Sequence, residues 1–542
     1  MTGWHRLSSL LFLLLCVASA ACHLAGLRWL SRIDIPPDRA LRAQLLYWLA
    51  AGGLWLLSLL LLSWQQWQWP GASQRLLRWL LPVLLALGLL MRVAALPLPV
   101  THSQDIYRYV WDGAVQRAGL NPYLGPPASE AYREIQREQP EVFARINHRH
   151  LPTIYPPMAQ RVLALSSQRG ARGEPVAAAV HRWKRLCGLA ELGLLLLLAG
   201  LLHRRKIELI WLSAWLLCPL PILEIWLNAH LDVLGVLFLA LALLAWPPRR
   251  HRPSQVAADA APASAEDALP HAAGDVQPGW ARLWLGGAAL ALSLLVKPLA
   301  GVVLPALIGV SRRNLVRWTG AGLLAAFLIW LPYRHAGLQV TPSLGEYGRR
   351  WRSNDGAFAV LQQVSEGLTA VIYRPPYWDP WRIPALARMV SGRDRATVWP
   401  DELAGFLARA LSGLALLWLL RWCVQRRFSA SQTGLLLLTG YALLTPVLHP
   451  WYLLWPLLLA PLWRRAAWPV WVLCALAPLA YLPLIDELRG LPHHEAIGPR
   501  LIEHGSAWVA LALCWRSLRQ GLIASEAGAA GEGPGAGTGV AD

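Results

Sequence analysis

IELIWLSAWLLCPLPILEIWLNAHLDVLGVLFLALALLAW, residues 207–246, consists of two apolar runs joined by a short polar turn. It lies between the basic clusters His203-Arg204-Arg205-Lys206 and Arg249-Arg250. A helix needs about 20 apolar residues to cross a bilayer core, so Ile207 to Leu227 and Leu231 to Trp246 read as two passes. Arg- and Lys-rich loops stay on the cytoplasmic side. Both clusters are therefore expected inside, and the turn Asn228-Ala229-His230-Leu231-Asp232 outside.

The same rule extends along the chain. Arg312-Arg313, Arg426-Arg427 and Arg464-Arg465 are further cytoplasmic clusters, and an even number of passes must separate each from the next. Between Arg250 and Arg312 a single apolar run, Leu283 to Val310, is interrupted at Lys297-Pro298. One straight crossing would leave Arg312 on the wrong side, so the run is expected to be two short helices meeting at Lys297. The first arm then spans only about 21 Å, which puts Lys297 below the outer surface. Gly434 to Leu448 and Trp451 to Trp463 form a second such pair, joined at His449-Pro450. Proline-broken helices leave backbone groups unpaired, which membrane depth tolerates only inside protein or along a wet cavity. The three apexes should therefore line one.

Further apolar runs near Leu7–Leu27, Leu45–Leu62, Trp79–Leu96, Leu186–Leu202, Leu315–Leu331, Leu403–Leu420, Ala467–Leu484 and Gly505–Leu513 bring the count to about fourteen passes. The expected fold is an all-α polytopic membrane protein with about 12–14 transmembrane helices and two large outward loops. By residue number, N-terminal transmembrane helices occupy 1–96, and the first outward loop 97–185. Central helices follow in 186–331 with a cytoplasmic linker at 251–277, then the second outward loop 332–402, C-terminal helices 403–524 and a disordered tail 525–542. Arg6, the Leu10–Ala18 run and Ala18-Ser19-Ala20 look like a secretory signal, but apolar character continues through Leu27, so an uncleaved first helix is expected.

Composition agrees: 56% of the 542 residues are hydrophobic and 15% charged. The excess of 50 basic over 31 acidic residues sits in short runs between apolar spans rather than on one face, which reports topology and argues against nucleic acid. The seven cysteines lack metal-ligand spacing and read as small hydrophobes.

Function should lie in the two loops. The first opens on HSQDIYRYVWDGAVQRAGLNPY, His102 to Tyr123, where Asp105, Tyr109, Asp112 and Gln116 share one helical face. Ser103 is placed to cap this helix, and Gly119 and Asn121-Pro122 to stop it. Tyr155-Pro156-Pro157 ends the loop with an extended entry into the next helix. In the second loop, Trp351-Arg352-Ser353-Asn354-Asp355-Gly356 offers Arg, aromatic and hydroxyl-binding groups for a sugar, or a tight turn at Asn354-Asp355-Gly356. The outward candidates are Asp105, Arg108, Asp112, Tyr155, Glu224, Asn228, His230, Asp232, Lys297, Arg334, Arg352, Asp355 and His449. Lys297 either serves a ligand or pairs with a carboxylate such as Glu224. Asn228 either caps the following helix or orients a hydroxylated ligand. His230 and Asp232 with Asp105 could hold a divalent metal, but no HExxH or paired-His spacing supports one, and no cofactor is expected.

Six ordered segments, DIYRYVWDGAVQRAGLNPY, RINH...LPTIYPP, LEIWLNAHLDVLG, LLVKPLAG, RSNDGAF and TPVLHPWYLLWPL, resemble bacterial polyprenyl-phosphate-sugar-dependent glycosyltransferases of the GT-C class, specifically the mannosyltransferase-like family with YPP and HPWY motifs. The resemblance runs from about Leu96 to Arg465. It implies an enzyme of the bacterial cytoplasmic membrane that transfers a hexose, mannose first among candidates, from a polyprenyl-phosphate donor to a lipid or glycan acceptor on the outer face. It also implies that Asp105 is the general base, with Lys297, Arg334 and His449 stabilising the departing phosphate. Gln104 stands where many members of the class carry a second acid, which weakens the case for a metal. The competing reading is a transporter or flippase of lipid-linked sugar, which needs phosphate-binding cations but no base.

Overall fold

A computed structural model describes residues 2–32, 34–68, 73–168, 170, 174–246, 279–307, 312–340, 342–372, 390, 398–426 and 428–527. The expected linker 251–277, the Arg249-Arg250 cluster, Arg427 and the tail beyond Ala527 lie outside the described residues.

The protein is an all-α polytopic membrane protein. Its long helices are α1 (Thr2–Leu30), α2 (Pro37–Gln68), α3 (Ser73–Ala95), α4 (Asp105–Arg117), α5 (Pro157–Gln168), α6 (Val176–Arg204), α7 (Asp232–Ala245), α8 (Trp280–Val296), α9 (Arg312–Trp330), α10 (Ala357–Ile372), α11 (Pro400–Gln425), α12 (Ala430–Leu444) and α13 (Ile497–Ala527). Among the described residues there is no strand, only an isolated parallel bridge between Ser353 and Val447. Among the described residues six helices are long and apolar enough to cross a membrane; a seventh span results if Leu209–Leu216 and Pro219–Leu227, bent by 55°, count as one. Five shorter apolar helices accompany them, including α7, α8 and α12. With the bent pair and the five shorter helices counted beside the six long ones, the described residues hold twelve apolar segments.

Buried polar contacts tie the bundle together. Arg92 of α3 makes a two-pronged pair with Glu191 of α6 at 2.7 and 2.8 Å, and also donates to the Leu216 carbonyl at 2.8 Å. Glu191 accepts in addition from the indoles of Trp215 (2.7 Å) and Trp226. Every oxygen of this carboxylate is thus occupied, which is how a buried charge survives at membrane depth. Lys184, a cation inside the first outward loop as the sequence bounds it, is fully buried and donates to the carbonyls of Ala95, Leu96 and Leu98 at the end of α3. It caps a helix instead of reporting a side.

Arg204, Arg205 and Arg464, from two of the basic clusters, gather at one end of the bundle. Arg204 bonds the carbonyls of Leu244 and Trp246, Arg205 bonds Ser431 and lies 4.7 Å from the Trp463 ring, and Arg464 bonds Gln66. At the opposite end, Asp38 of α2 meets Arg489 at 2.8 Å, close to the cavity described next.

Candidate functional site

Two helix breaks, the first loop and part of the second enclose a cavity of about 950 Å³, and the third break, expected to line it as well, lies behind its wall. α8 stops at Val296, Lys297 is extended, and a 3-10 turn restarts at Pro298. α12 stops at Leu444, and the chain resumes helically at Pro450. The third break is a turn of π-helix, Ile222–Leu227, running into Asn228-Ala229-His230, with Ala229 at φ 56. Such single π turns concentrate at functional sites, and a non-glycine residue in left-handed backbone costs about 1–2 kcal/mol. The Trp183 indole holds this turn by donating to the Ala229 carbonyl at 2.8 Å.

The breaks interlock. Lys297 Nζ donates to both oxygens of Asp232, at 2.8 and 2.9 Å, and the Trp455 indole donates to Asp232 Oδ1 at 2.9 Å. The partner of Lys297 is thus Asp232, not Glu224. Its ammonium also lies 4.1 Å from the Tyr452 ring centre, a cation–π contact on the cavity side. Trp451 is sandwiched between His230 (3.7 Å between ring centres) and His449 (4.4 Å). Glu224 accepts from the Tyr481 hydroxyl at 2.7 Å and lies 3.3 Å from His230 Nε2. Asn228 does not cap α7, whose first turn has no side-chain cap. Its amide is buried among Glu224, His102 and Tyr481.

Asp105 opens α4 on the facing wall. Ser103 Oγ accepts its backbone N–H at 3.2 Å, so the hydroxyl serves the helix start although Gln104 occupies the cap position. The carboxylate receives a long bond from Asn147 Nδ2, 3.3 Å, lies beside Tyr155, and stands 3.9 Å from His230 Nδ1. Burial raises its pKa above the ordinary carboxylate value, with nearby Asp232 adding to the rise and Asn147 and Lys297 opposing it. His148, also on the wall, is lowered by burial and by neighbouring His150.

The cavity thus brings together Asp105, Arg108, Tyr155, Lys297 and His449 on its surface. Glu224, Asn228, His230 and Asp232 form a fully buried layer in contact with that wall. The remaining candidates are elsewhere. Asp112 faces the interior of the first loop, held by Arg108 Nε (2.9 Å), Thr153 Oγ1 (2.6 Å) and Gln160 Nε2 (2.7 Å). α4 is therefore not a solvated amphipathic helix, because its polar face packs against α5. Asp355 is a structural anchor, paired at 2.6 Å with both Arg352 and Arg500 of α13. Ser353 and Trp351 of the same motif do reach the cavity, because the Ser353 backbone pairs with Pro446 and Leu448 just before His449. Arg334 is exposed, bonds only the Leu331 carbonyl among the described residues, and does not line the cavity.

Several wall residues were not among the sequence candidates: Asn147, His148, Tyr347, Trp351, Trp451 and Tyr452. Asn147 and His148 lie in the RINH segment and Trp451 and Tyr452 in HPWY, so motif membership was the available signal; Tyr347, whose hydroxyl lies 2.8 Å from that of Tyr452, had none. No group of three or more His, Cys, Asp or Glu is arranged to hold a metal among the described residues. The suggested trio is dispersed, since Asp232 turns both oxygens to Lys297.

A helical membrane protein whose broken helices surround a cavity with a buried-wall carboxylate at Asp105, a second at Glu487, cations and stacked aromatics has the build of a multi-pass GT-C glycosyltransferase. Residues 7–313 match the N-terminal domain of the alpha-(1->6)-mannopyranosyltransferase family, and the chain belongs to that family. It is a mannosyltransferase. The match includes Asp105, Asp232 and Lys297, whereas His449 and Trp451 lie beyond it. No curated protein and no solved structure matches the chain.

Proposed function

We propose that this protein transfers mannose from a polyprenyl-phosphate donor to a glycolipid or glycan acceptor at the outer face of the bacterial cytoplasmic membrane, with Asp105 as general base. The observation that carries this reading is how the carboxylates differ. Glu191, Asp112 and Asp232 each accept three or more hydrogen bonds and Glu487, the other carboxylate on the cavity wall, is engaged by His493, while Asp105 faces the cavity with a long bond from Asn147 and Tyr155 beside it. Saturated lone pairs make a carboxylate a fixture; free ones leave it able to take a proton.

In this reaction the acceptor hydroxyl oxygen forms a bond to the anomeric carbon as the carbon–phosphate oxygen bond breaks. The hydroxyl proton passes to Asp105, and the electron pair leaves on the lipid phosphate. A sugar hydroxyl is a weak nucleophile without such a base. The third N–H of Lys297, unused by Asp232, and the ring nitrogens of His449 are the groups on the opposite wall for the departing phosphate. The Trp451 and Tyr452 faces suit the apolar side of a pyranose. The α linkage in the family's name fits single displacement from a β-linked donor. An outward cavity is supported by its position at the end away from Arg204, Arg205 and Arg464.

The test compares membranes holding equal amounts of wild-type protein and Asp105→Asn for transfer of labelled mannose from polyprenyl-phosphate mannose to membrane glycolipid. A loss of about 10²- to 10⁴-fold is expected. Equal transfer by both removes Asp105 as the base; lipid-linked sugar flipped by wild type without any transfer establishes the transporter reading instead.

A further inference from the structure

A second opening, about 1290 Å³, lies between α2, α12 and α13 at the arginine-rich end, remote from the sugar cavity. It exceeds the roughly 300–1,000 Å³ of ordinary small-molecule pockets. Its wall on α2 runs from Leu56 to Trp67, twelve residues whose ends lie about 16 Å apart along the helix. That matches half of a hydrocarbon core about 30 Å thick, the depth of one leaflet. Leu60, Trp67, Val509 and Leu513 border it with largely exposed side chains, so it opens sideways to lipid.

The chemistry changes along its length. The deep part is apolar; the end carries Trp67, Trp463, Trp468, Arg464 and Arg465, the mixture of tryptophan and cation that marks a membrane interface. Arg464 is committed to Gln66 and lies 4.9 Å from the Trp211 ring. Arg465 is exposed and makes no hydrogen bond or ion pair among the described residues. Glu208, an acid at this end among the described residues, already accepts from Gln66 at 2.7 Å. The groove therefore ends in uncompensated positive charge at headgroup level.

We propose that this groove holds one anionic glycerophospholipid of the leaflet at the arginine-rich end, its phosphate on Arg465 and an acyl chain along α2 and α13. The site is separate from the sugar cavity and does not depend on which lipid-linked sugar is used there. An anionic headgroup gains about 1 kcal/mol per arginine near a membrane surface, which is about a fivefold preference.

The full chain is reconstituted in vesicles containing diazirine-tailed phosphatidylglycerol or, separately, diazirine-tailed phosphatidylcholine at equal mole fraction, and crosslinks are mapped by mass spectrometry. Phosphatidylglycerol is expected to label residues 56–67 and 506–514 about fivefold more than phosphatidylcholine. Arg465→Ala, a surface change checked by size exclusion, should abolish the preference, and Ala510→Trp should abolish labelling on both helices by filling the groove. Equal labelling by both lipids, a preference that survives Arg465→Ala, or no labelling overturns the proposal. So does displacement of phosphatidylglycerol by an equal amount of polyprenyl phosphate, which would make the groove a donor-lipid site, or crosslinks from residues 251–277 or 528–542 in its place.

Discussion

Lys297 performs two tasks that a double-mutant cycle separates: it neutralises buried Asp232, and it offers an N–H to the cavity. At 2.8 Å and an effective dielectric of about 20, the gross attraction between the two charges is about 6 kcal/mol. Desolvation offsets much of that, yet removing one partner of a buried pair leaves the other uncompensated, typically at about 3–5 kcal/mol. Asp232 is fully enclosed while Lys297 borders the cavity, so about 3 kcal/mol is expected for either Lys297→Met or Asp232→Asn. The Asn keeps an acceptor for the Trp455 indole. The combined variant should recover most of the loss, a coupling of about 2 kcal/mol or more read from unfolding titrations in mixed micelles. Transfer should behave differently. If Lys297 also steadies the departing phosphate, both Lys297→Met and the stable double variant should transfer mannose about 10²- to 10³-fold more slowly. A double variant that regains stability and activity together would reduce Lys297 to a structural partner, and a coupling below about 0.5 kcal/mol would refute the energetic reasoning itself.

Because burial raises the pKa of Asp105, the acidic limb of the kcat/KM profile should lie above the ordinary carboxylate range, activity falling as pH drops through it; Asp105→Glu should keep such a limb and Asp105→Asn lose it. The same shift has a stability sign. A carboxyl whose folded pKa is raised destabilises the protein above that value, and the penalty disappears as pH falls through it, so Asp105→Asn should resist unfolding better than wild type at neutral pH and lose that advantage in acid. Gly188→Ala would place a methyl carbon 2.7 Å from the Trp226 ring, and is expected to cost about 1–3 kcal/mol and to lower kcat by moving the π turn; wild-type kcat would refute the link between that indole and the site. Arg352→Ala, directed at Asp355 and not at the cavity, should leave the KM for the donor unchanged, and a tenfold rise would return it to the binding site.

What could be read from the sequence was whatever a single segment reports about itself. Proline after Lys297 and after His449 announced two breaks, and the polar Asn228 to Asp232 turn between apolar runs announced the third. Asp105 stood out as an acid at a helix start, supported by its place in a motif. Contacts between distant segments were not visible. Lys297 and Asp232 are 65 residues apart, and nothing local favoured that acid over Glu224. Arg92 and Glu191, 99 apart, each resembled an ordinary polar residue near a helix end. The helical spacing of Asp105 and Asp112 correctly placed both on polar positions, but spacing alone does not say that α5 covers the second one. Arg352 and Asp355 looked like sugar-binding groups because they pair with each other and the second partner of Asp355, Arg500, belongs to the last helix. Trp451 was hidden for another reason: a tryptophan in an apolar run looks the same whether it faces lipid or stacks between two histidines.

The three breaks also show why the site occupies this part of the bundle. Unpaired peptide groups at membrane depth cost several kcal/mol each, so a broken helix persists only where neighbours supply partners. Here they do so one by one: Arg92 for the Leu216 carbonyl, Trp183 for Ala229, Ser293 for Gly235, and Thr445 for Val447, with the Ser353 backbone pairing across to Pro446 and Leu448. Ser293, Thr445 and Ser353 come from segments that also line the cavity, and Trp183 holds the turn that carries the buried layer behind it. The groups that make irregular backbone tolerable are therefore the same ones that fix the relative positions of Asp105, Lys297 and His449. Stability and placement of the reacting groups rest on one network, and for that reason substitutions in the buried layer should change mannosyl transfer even though none of those side chains reaches the cavity.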